Sequence, residues 1–468
     1  MTFLEFFKEN TLLLDGGFGT LLQSYGLSAG EQPERWNLTH PELVVKAHKA
    51  YYDAGSNVVS TNTFGANLLK FSREELQQII PAAVQNARAA RDASTSSQPK
   101  FIALDIGPSG KLVGPLGGYS FEDALSLFAE TVKIGVSCGV DLIIVETMND
   151  GYETKAALLA AKENSTLPVF VSNAYGAGGR LMTGATPTVM ATMAKGLGAT
   201  AIGANCSFGP KQLRPVIEEL LSAATLPVLF KPNAGLPKSI NGTTVYDVTE
   251  EEFAQEVCSA VAEGVRVVGG CCGTTPSHIA ALSSSLPSIA AVPPARSLQP
   301  VVASFSQRVA LSAPVVLGAR LCAANPSIKD LFEEEDEYAV LEEAISQQDE
   351  EIDLLLFAPD GAEVSLNFLR AAVGELNFAI KAPLVLYTEN PDVIETICRV
   401  YNGKPLLVFP QGEKAQIAAL AAAKKYGAVL VGEVQGVTAP TAPAFSGVIA
   451  DLCQEDYLPV LAVSSLVE

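Results

Sequence analysis

Over the first 285 residues, short apolar runs alternate with longer segments whose apolar residues recur at helical spacing. Each short run ends in polar residues or glycine, as a strand does where it meets a loop. The segments between the runs include helix candidates at 41–54 and 121–139. Eight strands alternating with helices over this length predict a (β/α)8 (TIM) barrel, with an open doubly wound sheet as the alternative. The eight runs are 12–15, 57–61, 101–105, 142–146, 169–173, 201–205, 228–232 and 265–269.

A second unit follows this barrel, which we assign to residues 1–285. Residues 286–306 are rich in proline and small residues and predict a linker, because proline cannot continue a helix. Residues 307–468 then predict a smaller α/β domain, either complete or truncated. Its six strand candidates are 315–317, 353–357, 384–387, 406–409, 428–431 and 460–463.

Charge and hydropathy argue against some classes of binding partner. The formal net charge of −20 and the pI near 4.7 argue against nucleic-acid or anionic membrane surfaces, because phosphate groups would be repelled. No apolar run is long enough to cross a bilayer, and the charged residues Glu5, Lys8 and Glu9 interrupt any signal-peptide pattern at the N-terminus. We therefore expect a cytoplasmic protein.

Polar or metal-binding residues close almost every strand of the predicted barrel. In a (β/α)8 barrel the carboxyl ends of the strands share one rim, called the mouth here, where catalytic groups gather. For any single Asp or Asn, a conformational preference for turns explains the position equally well. The residues at these ends are Asp15, Asn62, Asp105, Glu146, Asn173, Cys206, Asn233, Cys271 and Cys272.

Three of the eight cysteines stand out and are called the cysteine trio: Cys206, Cys271 and Cys272. They follow two different strands, and glycines flank the adjacent pair, so all three thiols can reach one point at the mouth. Thiolates without histidine favour zinc over iron or copper, and the chain has only three histidines. Cys138, Cys258, Cys398 and Cys453 lie in or beside apolar helical patterns and are interpreted as buried small residues.

Three protein ligands are the number typical of a catalytic zinc site, which keeps one position for water or substrate. A substrate thiol bound there would lose its proton, and the resulting anion is the nucleophile in sulfur alkylation. The trio therefore predicts a site that activates a small thiol.

Five motifs in this order resemble the homocysteine S-methyltransferase family, and in particular the zinc-dependent homocysteine-binding barrel of cobalamin-dependent methionine synthase. The resemblance spans residues 1 to about 290 and implies that the trio holds zinc and that homocysteine sulfur takes the open position. The motifs are Asp15-Gly16-Gly17-Phe18-Gly19-Thr20, Thr61-Asn62-Thr63-Phe64, Glu146-Thr147, Gly203-Ala204-Asn205-Cys206 and Gly269-Gly270-Cys271-Cys272-Gly273-Thr274-Thr275-Pro276.

The resemblance also implies roles for single residues. Asp15 and Glu146 are predicted catalytic residues, with Glu146 near the substrate ammonium group; a salt bridge to a core lysine or arginine is the alternative for Glu146. Residues 16–20, called the glycine turn here, can direct backbone amides at the substrate carboxylate. The predicted substrate-binding residues are Gly17, Phe18, Gly19, Thr20, Asn62, Glu146 and Asn233.

The C-terminal region resembles, more weakly, the front part of the pterin-binding folate domain of methionine synthase. Gly318-Ala319-Arg320 stands where that family has Gly-Glu-Arg, but Tyr387-Thr388-Glu389 replaces an Asp-Ser-Ser run and only about six strands are present. Folate binding is therefore not expected. The region could instead cap the barrel, mediate a homodimer or dock a methyl-carrying protein.

The methyl donor must come from elsewhere. The chain has no Asp-x-His-x-x-Gly pattern, the cobalamin-ligating signature, so cobalamin is expected only on a separate corrinoid protein that acts in trans. Direct use of a small sulfonium or betaine donor is the alternative mechanism. A non-catalytic zinc-binding homocysteine sensor is the alternative from another functional class.

Overall fold

A computed structural model of the chain describes residues 1–115, 117–240, 243–286, 299–434, 457–461 and 463–467. Its contacts divide it into two compact units. The first contains most of residues 1–286, and the second contains the described residues from 299 onward together with residues 183–198. None of the described helices is long and apolar enough to span a bilayer.

The first unit is built on eight parallel strands arranged as a closed (β/α)8 barrel, which confirms the predicted fold. Strand order is β1-β10-β7-β6-β5-β4-β3-β2, and a parallel bridge between Leu14 and Val58 joins the two ends of the sheet. An open doubly wound sheet is thereby excluded. The barrel strands are β1 (Leu12–Leu13), β2 (Val58–Ser60), β3 (Phe101–Ile106), β4 (Leu142–Met148), β5 (Val169–Asn173), β6 (Ala201–Asn205), β7 (Val228–Lys231) and β10 (Val265–Val268); β8 (Lys238–Ile240) and β9 (Thr243–Val245) form a hairpin after β7.

Helices fill the connections between these strands. Side-chain caps fix the first residues of several helices. Ser72 and Glu75 form a capping box on α5, and Asp150 accepts hydrogen bonds from the first-turn amides of α7. The predicted helices at 41–54 and 121–139 correspond to α4 and α6. The helices are α1 (Phe3–Glu9), α2 (Phe18–Ser24), α3 (Trp36–Thr39), α4 (Pro41–Asp53), α5 (Arg73–Ala93), α6 (Phe121–Ser137), α7 (Gly151–Asn164), α8 (Pro187–Gly196), α9 (Pro210–Ala223), α10 (Glu250–Ala262) and α11 (Pro276–Ser285).

Apolar side chains fill the barrel interior and its amino-terminal end. Barrel strands are buried on both faces, which explains why they read as continuous apolar runs. At the end opposite the mouth, α1 inserts Phe3 and Phe7, whose rings pack on Phe101 and Phe170. This plug leaves the mouth as the open end of the barrel.

The second unit contains a parallel α/β sheet in the order β18-β17-β16-β15-β14-β13-β19. Residues 457–461 pair with β17 and residues 463–467 pair with β13. The elements are β11 (Val301–Ala303), β12 (Arg308–Ala310), β13 (Val315–Gly318), α12 (Pro326–Glu333), α13 (Glu337–Gln348), β14 (Leu354–Phe357), α14 (Leu366–Ala379), β15 (Leu384–Leu386), α15 (Pro391–Val400), β16 (Leu406–Val408), α16 (Glu413–Tyr426), β17 (Val429–Val434), β18 (Tyr457–Leu461) and β19 (Val463–Val467).

The predicted linker over 286–306 lies largely outside the described residues, which omit 287–298. Within its described part, residues 301–303 form strand β11, paired with β12. The boundaries 1–285 and 307–468 remain a prediction, because contacts group helix α8 with the second unit. Gly196 at the end of α8 lies against Gly427, whose positive φ of 73° ends α16.

Candidate active site at the barrel mouth

The cysteine trio comes together at the mouth, as predicted. The Sγ atoms of Cys206 and Cys272 are 3.9 Å apart, and the three sulfurs all lie within 4.8 Å of one another. Cys206 directly follows β6, and Cys271 and Cys272 follow the Gly269-Gly270 bend after β10. Strands β6 and β10 both pair with β7, and this arrangement brings the two distant segments of sequence together.

Backbone from the end of β7 holds both thiol-bearing segments. Cys206 N–H donates to the Lys231 carbonyl, and Cys271 N–H donates to the Pro232 carbonyl at 2.8 Å. Cys206 itself has φ +59°, a left-handed conformation that costs a non-glycine residue free energy. The surrounding hydrogen bonds therefore impose the thiol positions.

Contacts among the three thiols shift their pKa values in opposite directions. Hydrogen bonds from Cys271 and Cys272 lower the pKa of Cys206 to about 3. The contact with Cys206 raises the pKa of Cys271 well above its usual range and that of Cys272 to about 11. These shifts arise because thiols that donate to a neighbouring sulfur stabilise its thiolate form.

The trio fits a tetrahedral zinc site. With Zn–S bonds of about 2.3 Å, tetrahedral geometry places sulfurs about 3.8 Å apart, close to the separations here. The potential metal cluster found among the described residues contains these three cysteines and no histidine. His278 instead bonds Thr275 through Nδ1, where it caps helix α11, and its Nε2 lies 3.1 Å from the Val248 carbonyl.

A buried ion-pair cluster lies beside the thiols. Lys231 Nζ is 3.0 Å from Glu146 Oε2 and 3.4 Å from Asp15 Oδ1, and all three side chains are buried. Burial disfavours the charged ammonium, but Glu146 and then Asp15 outweigh this effect and hold the pKa of Lys231 above its usual range. The predicted alternative for Glu146, an ion pair with a core lysine, is therefore present.

Asp15 and Asp105 extend the ion-pair cluster along one side of the site, called the polar wall here. The Asp15 carboxylate accepts from Ser60 N–H at 2.7 Å, while burial raises the pKa of Asp15. Burial, followed by the charge of Glu146, raises the pKa of Asp105 well above its usual range, and Asp105 Oδ1 has no hydrogen-bond partner among the described residues.

The glycine turn passes close to the segment that bears two of the cysteines. A Cβ on Gly17 would lie 2.6 Å from the Cys271 carbonyl oxygen, whereas a Cβ on Gly19 would meet nothing within 4 Å. Gly17 N–H donates to Thr274, so this amide is not available to a substrate. Phe18 and Gly19, in the first turn of α2, have amides that donate to no acceptor in the described chain.

These groups line one cavity of about 220 Å³ at the mouth. It includes every predicted site residue except Asn233, which is buried next to Cys206 and whose Oδ1 has no hydrogen-bond partner in the described part of the chain. The Asn62 amide lines the cavity but donates to the Pro33 carbonyl. The lining residues are Asp15, Gly16, Gly17, Phe18, Gly19, Thr20, Pro33, Ser60, Thr61, Asn62, Phe64, Asp105, Glu146, Thr147, Cys206, Lys231, Cys271 and Cys272.

Two residues of this region were not predicted from the sequence. Lys231 ends an apolar strand, and that position was itself a signal, since Glu146 was identified in the same way. Tyr246 packs on Gly273, where a Cβ would lie 2.2 Å from its ring. Burial, then the charges of Cys272 and Cys206, raise the pKa of Tyr246 to about 12.

The corresponding strand ends of the second unit have their polar groups engaged with one another. Asp360 accepts from Glu389 N–H at 2.6 Å and from the Thr388 hydroxyl. Glu389 accepts from the backbone amides of Gln411 and Gly412, just before α16. Arg320 pairs with glutamates of the α13 region, including Glu350 at 2.8 Å. These side chains serve as caps and ion pairs within the unit.

Comparison with known proteins agrees with the geometry of the first unit. A sequence model of the family described as homocysteine S-methyltransferase matches residues 12–286. Methionine synthase of Mycobacterium leprae is 30% identical over 300 residues, which is 60% of this chain and 25% of that protein. Methionine synthase of Mycobacterium tuberculosis is 29% identical over 319 residues, 64% of this chain and 27% of that protein. The chain thus spans about a quarter of the length of these relatives.

Solved structures give the same architecture. The homocysteine methyltransferase MmuM from Escherichia coli, in its metallated form, superimposes with a TM-score of 0.51 at 23% identity, covering 59% of this chain and 96% of that one. Its oxidized form gives a TM-score of 0.52 at 23% identity and covers 60% and 98%. At this identity the similarity establishes the barrel fold.

Proposed function

The chain belongs to the homocysteine S-methyltransferase family, and on that basis we propose that it is a zinc-dependent enzyme that methylates homocysteine to methionine. One observation carries the proposal. The cysteine trio and the buried carboxylate of Glu146 line the same cavity at the barrel mouth. A thiol and an ammonium group on one small molecule can therefore be bound together.

The sulfurs of the cysteine trio would hold the zinc. A bound zinc ion lowers the pKa of a coordinated thiol and so supplies a sulfur nucleophile at neutral pH. The protein prepares this site by fixing the sulfurs within 4.8 Å of one another through the strained backbone at Cys206. Ligands held in place in this way need little rearrangement to bind a metal.

The polar wall of the cavity would bind the amino-acid end of homocysteine. Lys231 offsets only one of the two carboxylates it contacts, Asp15 and Glu146, so the pair keeps a surplus of negative charge for the substrate ammonium group. The unpartnered amides of Phe18 and Gly19 would donate to the substrate carboxylate. With both charged ends bound, the side chain of homocysteine extends toward the trio.

The methyl group would then pass to sulfur in an in-line displacement. The sulfur–carbon bond forms while the donor–carbon bond breaks, the electron pair of the broken bond stays on the donor, and the thiol proton goes to solvent. The chain contributes position and exclusion of water, since Phe18 and Phe64 line the cavity.

We infer that the donor is presented by a separate corrinoid protein. Large apolar side chains are exposed in the segments that follow strands β1, β2, β5 and β7. Exposed apolar side chains favour protein contacts, and the named relatives are methionine synthases. The exposed residues are Leu38, Phe64, Leu68, Leu69, Met182, Leu236 and Val245.

The donor is tested by incubating the zinc-loaded protein with homocysteine and one donor at a time, with methionine measured by mass spectrometry. The donors are a methylated corrinoid protein, methylcobalamin, methyltetrahydrofolate, S-methylmethionine and betaine. We expect methionine from the corrinoid sources. Methionine formed from S-methylmethionine or betaine alone would support methylation of homocysteine but overturn the corrinoid protein as the donor.

A second measurement separates the enzyme from a sensor. Homocysteine binding to the zinc-loaded protein is measured by calorimetry with no donor present. Binding without methionine formation from any donor would contradict the enzyme and favour the sensor. The absence of binding would overturn homocysteine as the substrate.

A cytoplasmic location is part of the proposal. Among the described residues no cysteine forms a disulfide, and a reducing compartment keeps metal-binding thiols from oxidation. Fractionation of the native host, with the protein detected by antibody, tests this point.

A further inference from the structure

Asn205, the last residue of β6, is fully buried and has all of its side-chain hydrogen-bonding capacity in use. Its Oδ1 accepts from the Thr147 amide at 2.9 Å and from the Ser172 hydroxyl at 2.7 Å. Its Nδ2 donates to the Thr147 hydroxyl at 2.7 Å and to the Cys271 sulfur at 3.9 Å. An amide with two donors and two acceptor sites can satisfy no more partners than these.

Two of these bonds hold Thr147 in a conformation it would not adopt alone. Thr147 has φ +62°, and left-handed backbone is a genuine outlier for a β-branched residue. Such strain persists only where the surroundings impose it, and it clusters at functional sites. Thr147 directly follows Glu146 in β4, so the clamp on its backbone also sets the direction from which Glu146 enters the cavity.

The remaining donor bond reaches the metal site. The N–H···S contact places a partial positive charge beside the Cys271 sulfur, which stabilises a thiolate. The next residue in the chain is Cys206, also in a left-handed conformation with φ +59°. Asn205 therefore contacts one member of the trio through its side chain and another through the backbone.

We propose that Asn205 is a positioning residue that couples the zinc-binding thiols to the wall that receives the substrate ammonium group. The effect of Asn205 on substrate binding rests on the function proposed above. Its effect on the metal site does not depend on homocysteine. Residues that hydrogen-bond metal ligands commonly change metal affinity by about 10–100-fold when they are replaced. Loss of Asn205 should therefore weaken both the metal site and amino-acid binding.

Two variants divide the roles. Asn205→Asp keeps an acceptor for the Thr147 amide and removes the donor to Cys271, placing a carboxylate beside the sulfur. Asn205→Ala removes both contacts and releases Thr147. Ser172→Ala is the matched control, because it is equally buried and removes one bond to Asn205 without touching Thr147 or Cys271.

Zinc affinity is measured by competition with a chromophoric chelator, and homocysteine affinity by calorimetry at saturating zinc. We expect Asn205→Asp to lower zinc affinity by about tenfold or more while largely keeping homocysteine affinity. Asn205→Ala should lower both affinities, and Ser172→Ala neither. Circular dichroism establishes that each variant is folded.

The possible results separate this inference from the proposed function. Unchanged zinc affinity in a folded Asn205→Asp protein would overturn the inference, whatever the substrate. Homocysteine affinity retained in a folded Asn205→Ala protein would overturn the part of the inference that concerns substrate binding. Failure of the unmodified protein to bind homocysteine would instead overturn the proposed function and leave the zinc measurement as a test of Asn205.

Discussion

The ammonium group of Lys231 lies 3.0 Å from the Glu146 carboxylate, with both side chains buried at the barrel mouth. Lys231 ends strand β7 and Glu146 lies near the end of strand β4, and 85 positions of sequence separate them. A buried charge is costly unless it is paired, so each makes the burial of the other tolerable. The Glu146 carboxylate thus has a counter-ion within the protein, the Lys231 ammonium group, in addition to any ammonium group of a substrate.

Replacing Lys231 by Met is expected to lower the free energy of unfolding by about 3–5 kcal/mol, the usual cost of leaving a buried charge without its partner. Asp15 and Glu146 would both lose their contact with the ammonium group. Denaturant unfolding at pH 7 measures the change.

The double variant with Lys231→Met and Glu146→Gln is the control. It should recover part of the lost stability, because one unpaired carboxylate is removed together with its partner. Losses that simply add would show that the two side chains do not stabilise each other.

Cys206→Ser is expected to reduce zinc affinity by more than about 100-fold, because it removes a ligand rather than a residue that supports one. Methionine formation should fall with it. Cys258→Ser, in helix α10 and outside the trio, is the matched control. Zinc content by atomic absorption is the measurement, and full zinc occupancy in Cys206→Ser would contradict the assigned ligands.

Gly17→Ala and Gly19→Ala should have opposite consequences although they are two positions apart. At Gly17 a Cβ would press on the Cys271 carbonyl, and we expect a loss of about 1–3 kcal/mol of stability, as for overpacking. At Gly19 nothing obstructs a Cβ, and alanine favours a helix, so stability should hold or rise. Gly19 lines the cavity, however, and its variant should bind homocysteine more weakly.

Thermal unfolding and calorimetric titration separate these two effects. Equal stability of the two variants would contradict the tight passage of the glycine turn. Unchanged homocysteine affinity in Gly19→Ala would argue against this part of the turn as the carboxylate site.

His48 should contribute to the loss of folding stability at acidic pH. Its ring is fully buried and stacks on Phe18 with centroids 4.3 Å apart, and neither ring nitrogen has a hydrogen-bond partner among the residues that the structure describes. Burial lowers the pKa of His48 to about 3. Because the unfolded chain binds a proton near pH 6.5 and the folded chain does not, stability is full above that pH and is lost progressively as the pH falls toward 3.

His48→Phe should keep the stack on Phe18 and remove the proton uptake. We expect the drop in unfolding free energy between pH 7 and pH 5 to shrink by about 2 kcal/mol relative to the unmodified protein. Denaturant unfolding at the two pH values tests this. An identical pH dependence of the two proteins would contradict a neutral buried histidine.

Sequence periodicity was sufficient for the barrel, because each strand is a short apolar run buried on both faces and ended by a polar residue. All eight predicted runs coincide with observed strands, and Cys206 meets Cys272 as expected. The predicted use of the glycine-turn amides needs refinement, because Thr274 takes the Gly17 amide. Such a contact joins positions 257 residues apart and has no local signature.

The amino-acid sequence by itself determined which residues stand at the ends of the strands, since hydrophobic spacing and turn chemistry act over a few neighbouring positions. Only the tertiary structure decided which of those residues meet. Closure of the barrel brings Lys231 to Glu146 and Asn205 to Cys271, and it buries His48 beneath Phe18. Those pairings depend on the register and packing of distant segments, so the charges and hydrogen bonds of the site follow from the fold as a whole.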